Sequence, residues 1–191
     1  MARFSVVFFV ALLAGTVLHH QGVQAANGVD ISDPTSKSTF ECMKKSGVTF
    51  AIIRCWQSNG VVDANCPATA AAANEAGLIV ELYMYPDAPR GNPAAQVDSF
   101  MAYVRQHNIR YGRVWLDIEY TYGGFWSSNH GTNQAFFGGL IAELRKQGQT
   151  IGVYTSASQW EPIMGRFVGQ KSVLTGAFSG MSNSFKEIFP D

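Results

Sequence analysis

Five times in succession, a short run rich in Val, Ile, Tyr and Phe gives way to an amphipathic stretch, and this alternation constrains the fold more than any other feature. The strand-like runs lie at 28–31, 48–55, 78–85, 113–118 and 150–155, with a sixth at 172–178; each is bounded by Gly or polar residues. The helix-like stretches lie at 35–45, 67–76, 93–107, 133–147 and 158–166. In the third, Ala94, Val97, Phe100, Met101 and Val104 recur at spacings of three and four, one apolar helix face. Phe136, Phe137, Leu140, Ile141 and Leu144 do the same in the fourth. Gly47, Gly77 and Gly148 each stand between a helix and the next strand, where a left-handed residue ends the helix. Strands joined through helices pair in parallel, so the fold class is α/β, either an open doubly wound sheet or a (β/α) barrel. No Gly-x-Gly-x-x-Gly and no Gly-Lys-Ser/Thr follows a strand, which removes the support for nucleotide binding at an open sheet. A full eight-unit barrel needs about 200 residues or more, so a barrel here is compact or incomplete. The near-continuous alanines between Ala68 and Ala76 read as a small-residue helix face packed close to a strand.

The first 25 residues stand apart from this pattern. Arg3 precedes an apolar run from Phe4 to Leu18, and a polar stretch then leads to Val23-Gln-Ala25, the form of a secretory signal and its cleavage site. A membrane anchor would need about 20 apolar residues. The expectation is a signal peptide over 1–25 and one exported, monomeric domain over 26–191, without a membrane anchor after cleavage. In an oxidising compartment two of Cys42, Cys55 and Cys66 should pair; the spacing does not say which two. The absence of a CxxC pair with nearby His argues against a metal site. Fourteen Lys+Arg balance fourteen Asp+Glu, which argues against nucleic acid as a partner.

Chemistry in parallel α/β folds collects at the C-terminal ends of strands. The run from Arg113 to Tyr120 ends there with two acids. Side chains alternate along a strand, so Trp115, Asp117 and Glu119 share one face, while Leu116 and Ile118 pack under the helices. Carboxylates two residues apart lie about 6.6–7 Å apart at the backbone. At that separation they resist joint ionisation, so one keeps a proton beside an ionised partner, the pairing that glycosidic cleavage needs. Asp30 is a third acid at the end of the first strand. The loop from Tyr120 to Trp126 follows the acids with four aromatic rings, and Trp126 reads as part of a stacking wall for sugar rings, completed by Tyr83 or Tyr85 and by Tyr154. There is no Gly-x-Ser-x-Gly elbow, and His107 and His130 fall on a helix end and a loop.

Five motifs in order, Gly28-Val-Asp-Ile-Ser32, Phe50-Ala-Ile-Ile-Arg54, Glu81-Leu-Tyr-Met-Tyr85, Trp115-Leu-Asp-Ile-Glu119 and Gly152-Val-Tyr-Thr-Ser156, resemble glycoside hydrolase family 25, the Chalaropsis-type lysozymes, and most of all its invertebrate members. The resemblance covers roughly residues 27–160. It implies a shortened (β/α)5(β)3 barrel and hydrolysis of the β-1,4 bond between N-acetylmuramic acid and N-acetylglucosamine in bacterial peptidoglycan, in defence or digestion. By position it implies Glu119 as general acid and Asp117 as stabiliser of positive charge while the substrate's N-acetyl group assists. Asp30 would line the cleft, with Tyr83 and Tyr154 near the sugar, and no cofactor or metal would be needed. The family's sixth strand carries Trp and ends near a further acid, and two more strands close the barrel; residues 172–179 hold neither Trp nor Asp, and the chain ends at Asp191. The expectation is therefore a barrel lacking the last strands. The alternative is a non-catalytic peptidoglycan- or chitin-binding relative that lost activity through that truncation. A chitinase of the Asp-x-x-Asp-x-Asp-x-Glu type would need Asp where Trp115 stands.

Overall fold

The computed structural model describes residues 26–120 and 126–167. The signal expected at 1–25, the strand expected at 172–178 and the loop residues Tyr122 and Phe125 lie outside the described residues. The strands are β1 (Asn27–Ile31), β2 (Val48–Gln57), β3 (Val61–Val62), β4 (Ile79–Met84), β5 (Val114–Asp117) and β6 (Ile151–Tyr154). The helices are α1 (Lys37–Lys45), α2 (Cys66–Glu75), α3 (Pro93–Gln106), α4 (His130–Lys146) and α5 (Ala157–Met164). Five strands pair in parallel in the order β1-β2-β4-β5-β6, each followed by a helix. This is the wall of a shortened (β/α) barrel; among the described residues it is not closed, and β1 and β6 are its edges.

Local chemistry sets the helix limits. Ser36 caps α1 by accepting from the Thr39 N–H at 3.2 Å, and Lys44 and Lys45 sit in its last turn, where the helix dipole favours cations. Pro93 opens α3 behind the capping residue Asn92. Asn129 accepts from the Thr132 N–H at 3.2 Å, so α4 begins at His130, three residues before the stretch expected at 133–147. Gly47, Gly77 and Gly148 all carry positive φ, as their positions between helix and strand require.

The two-residue strand β3 has no counterpart in the sequence reading. It turns back through Gly60 and pairs antiparallel with Trp56 and Gln57 at the end of β2. That hairpin brings Cys66 to Cys55, which form the disulfide, and leaves Cys42 unpaired and exposed. It also carries Asp63, 1 % exposed, to the side chain of Arg54.

The core lies between the sheet and the helices. Phe40 of α1, Phe100 and Met101 of α3, and Phe137, Leu140 and Leu144 of α4 pack with Ile53, Leu82, Met84, Leu116 and Val153 of the strands. Each such side chain contributes roughly 1.5–3 kcal/mol through burial. Ala70 and Ala73 are fully buried where α2 approaches β2 and β4, as the alanine-rich stretch predicts. Ile52 and Trp115 are equally buried but stand outside this core, on the opposite face of the sheet.

Candidate active site

On that opposite face the register brings the chemistry together. Asp30 of β1 pairs with Ile52 of β2, which pairs with Glu81 of β4; Arg54, Tyr83, Trp115 and Gly152 form the next row; Asp117 pairs with Tyr154. Paired residues of a sheet point the same way, so alternate positions of five strands converge on one side. The result is a solvent-open cleft of about 230 Å³ lined by Asp30, Ile52, Arg54, Tyr83, Tyr85, Trp115, Asp117, Glu119 and Tyr154. Six of the seven residues singled out in the sequence are in it.

The seventh, Trp126, is not. Its ring is 7 % exposed and packs edge-on against Phe136 at 6.1 Å, and its indole N–H donates to the Glu119 carbonyl at 2.9 Å. Tyr85 lines the cleft, but its hydroxyl donates to the same carbonyl, also at 2.9 Å.

Three lining residues, Ile52, Arg54 and Trp115, are not among the site residues singled out in the sequence. Arg54 donates through Nε to Asp63 at 2.7 Å and through Nη2 to the Ser32 carbonyl at 3.1 Å. Burial works against its charge, but Asp63 and the Tyr83 hydroxyl hold it on, and the guanidinium keeps its proton more firmly than an ordinary arginine. Trp115 lies deeper than Asp117, its indole N–H on Glu81 and the Arg113 guanidinium 5.1 Å from its ring centre. Gly152 makes room for this ring, since a Cβ there would clash with its carbon atoms.

The electrostatics are uneven. Asp117 is 7 % exposed, and its Oδ1 has no hydrogen-bond partner among the described residues. Burial, then the charges of Glu119 and Asp30, push its carboxyl well above the usual range, and Arg54 only partly offsets them. Glu119 is half-buried; burial first and Asp30 second raise it too. Burial and the neighbouring acids raise the Tyr154 phenol to about 12, and burial raises Tyr83 further, so both stay neutral donors. The cleft thus sets three carboxyl groups against a single arginine already paired to Asp63, and Asp117 and Glu119 both bind a proton more firmly than ordinary carboxyl groups do. Among the described residues, no group of three His, Cys, Asp or Glu side chains is placed to hold a metal ion, and no helix is long and apolar enough to cross a membrane.

Comparison with known proteins points to a family and a fold. The family described as "Lysozyme-like protein 1" matches residues 21–175. "Probable GH family 25 lysozyme 2" of Dictyostelium discoideum is 44% identical over 162 residues, covering 84% of this chain and 75% of the relative. Among solved structures, the lysozyme of Streptomyces coelicolor superposes with a TM-score of 0.71 at 21% identity, covering 88% of this chain and 81% of that one. The muramidase of Trichobolus zukalii gives 0.70 at 19% identity, covering 84% and 80%. These two structures share the fold; the family follows from the matched residues and from the Dictyostelium relative. The chain belongs to the lysozymes of glycoside hydrolase family 25.

Proposed function

We propose that this chain is a secreted muramidase that cleaves the β-1,4 bond between N-acetylmuramic acid and N-acetylglucosamine in bacterial peptidoglycan, in defence against bacteria or their digestion. The observation that carries the reading is the pairing of Asp117, buried with one oxygen unpartnered, with the more open Glu119 in the same cleft. An orphaned buried acceptor costs roughly 1–3 kcal/mol and is relieved by a donor that enters with the ligand. The amide N–H of an N-acetyl group is such a donor. Its hydrogen bond favours the anionic form of Asp117 and leaves the proton to Glu119.

The roles then follow. The Glu119 carboxyl gives its proton to the glycosidic oxygen as the bond from that oxygen to the sugar's C1 breaks. The acetamido oxygen of the same sugar closes on C1, and anionic Asp117 stabilises the positive charge that spreads over the ring so formed. Water then attacks C1, giving its proton to the Glu119 carboxylate, and the acetamido group is released. Two inversions at C1 give net retention. Asp30 raises the proton affinity of both acids, and Tyr83 and Tyr154 offer neutral hydroxyls to the sugar. Because Glu119 must be protonated, activity falls as pH rises through its elevated pKa.

Digestion of purified peptidoglycan tests the proposal. New reducing ends should be N-acetylmuramic acid, and Glu119→Gln should abolish their release while wall binding persists. Reducing N-acetylglucosamine ends, or slow clearing that Glu119→Gln leaves unchanged, would overturn it. Secretion predicts that the protein recovered from the medium begins near Ala26.

A further inference from the structure

β5 ends at Asp117, so Glu119 stands on backbone that lies past the strand. That backbone is nevertheless held at successive peptide groups. The Ile118 N–H donates to the Tyr154 carbonyl at 2.8 Å, and the Ile118 carbonyl accepts from the Thr155 hydroxyl at 2.7 Å. The Glu119 carbonyl accepts twice, from the Tyr85 hydroxyl and the Trp126 indole, each at 2.9 Å. The Tyr120 N–H donates to the Gln159 side chain at 2.7 Å. We propose that Tyr85 and Trp126 are positioning residues which jointly clamp the Glu119 peptide carbonyl and so fix where its carboxyl stands relative to Asp117. The inference rests on Glu119 being the acid of the reaction.

A carbonyl oxygen has two lone pairs, and here both are taken by donors that cannot easily turn away. Trp126 is wedged against Phe136, so core packing aims its N–H. Tyr85 directly follows β4, and its own N–H donates to the Trp56 carbonyl at 3.0 Å. With both donors in place, the peptide plane after Glu119 is fixed from two directions. With one removed, the other still holds it.

That redundancy gives the test its form. Tyr85→Phe and Trp126→Phe each keep a ring and lose one donor, and the full chain carrying one or both is compared with wild type on purified peptidoglycan. Because misplacing a reacting group by about 1 Å costs about 100-fold, each single change should lower kcat by less than about fivefold and the double change by about 100-fold or more, with KM within about twofold. In the double variant the freed Glu119 side chain reaches water, and its carboxyl, followed by NMR, should titrate closer to an ordinary glutamate. Loss of kcat equal to the product of the single losses, loss that tracks KM and melting temperature together, or an unmoved Glu119 titration would overturn the clamp. If Trp126→Phe does not fold, Tyr85→Phe alone must leave the Glu119 titration where it stands in wild type and lower kcat by less than about fivefold, because Trp126 still holds the carbonyl; a larger loss or a moved titration would overturn the joint clamp. A wild-type chain that cleaves no peptidoglycan removes the muramidase reading by itself, and the Glu119 titrations still decide the clamp.

Discussion

The two faces of β5 obey different rules although their residues alternate along four positions. Leu116, and Ile118 just beyond the strand, are fully buried under the helices among apolar neighbours. Trp115 and Asp117 are nearly as buried on the other face, yet one is held by a carboxylate and a guanidinium, and the other carries an oxygen with no partner among the described residues. Burial alone therefore does not separate core from site. What separates them on β5 is the chemistry of the buried atoms: the helix face presents only apolar side chains, and the cleft face buries a carboxylate oxygen that has no partner among the described residues.

Substitutions on the two faces should fail in opposite ways. The largest effect is expected at Glu119→Gln, which should lower turnover by about 10²–10⁴-fold, measured as reducing-end release, with the melting temperature held. Leu116→Ala should do the reverse. It should cost roughly 2–5 kcal/mol of stability, read by thermal denaturation, while the folded fraction still cleaves at low temperature. A catalytic defect without lost stability at Leu116 would break the comparison.

Gly152→Ala tests where the two rules meet, because the added methyl would press on the Trp115 ring from within the cleft. Overpacking of this kind costs about 1–3 kcal/mol, and the displaced ring should also raise KM in the same assay. The smallest effect is a gain. A carboxyl whose folded pKa lies above its unfolded value favours the fold below that unfolded value, near pH 4, and loses that contribution as pH rises through the folded pKa. Asp117 is such a group. Asp117→Asn should therefore melt higher than wild type at neutral pH, by about 2–4 °C for each kcal/mol recovered. The gain should vanish below about pH 4, and turnover should suffer.

The sequence revealed the helix faces and the convergence of acids because both follow from periodicity. Phe136 to Leu144 at helical spacing, and Trp115, Asp117 and Glu119 at strand spacing, point where the alternation says they point. Trp126 shows where that logic stops. It lies beyond the strand, no period fixes its direction, and packing against Phe136 turns its ring into the protein rather than into the cleft. Arg54 shows a second limit: its place on β2 follows from alternation, but its anchoring depends on Asp63, which arrives through a hairpin too short to leave a sequence pattern. The Cys55–Cys66 pairing has the same origin, since that hairpin, rather than the spacing of the three cysteines, brings the two thiols together.

The central claim is that Asp117 and Glu119 share one cleft and bind protons as neighbours. NMR titration of their side-chain carboxyls, in wild type and in Glu119→Gln, reads this directly. Both should titrate above the ordinary carboxyl range in wild type, with Asp117 the higher, and the Asp117 value should fall once the Glu119 charge is gone. Two carboxyls that titrate independently near pH 4, with Asp117 unmoved by Glu119→Gln, would contradict the account.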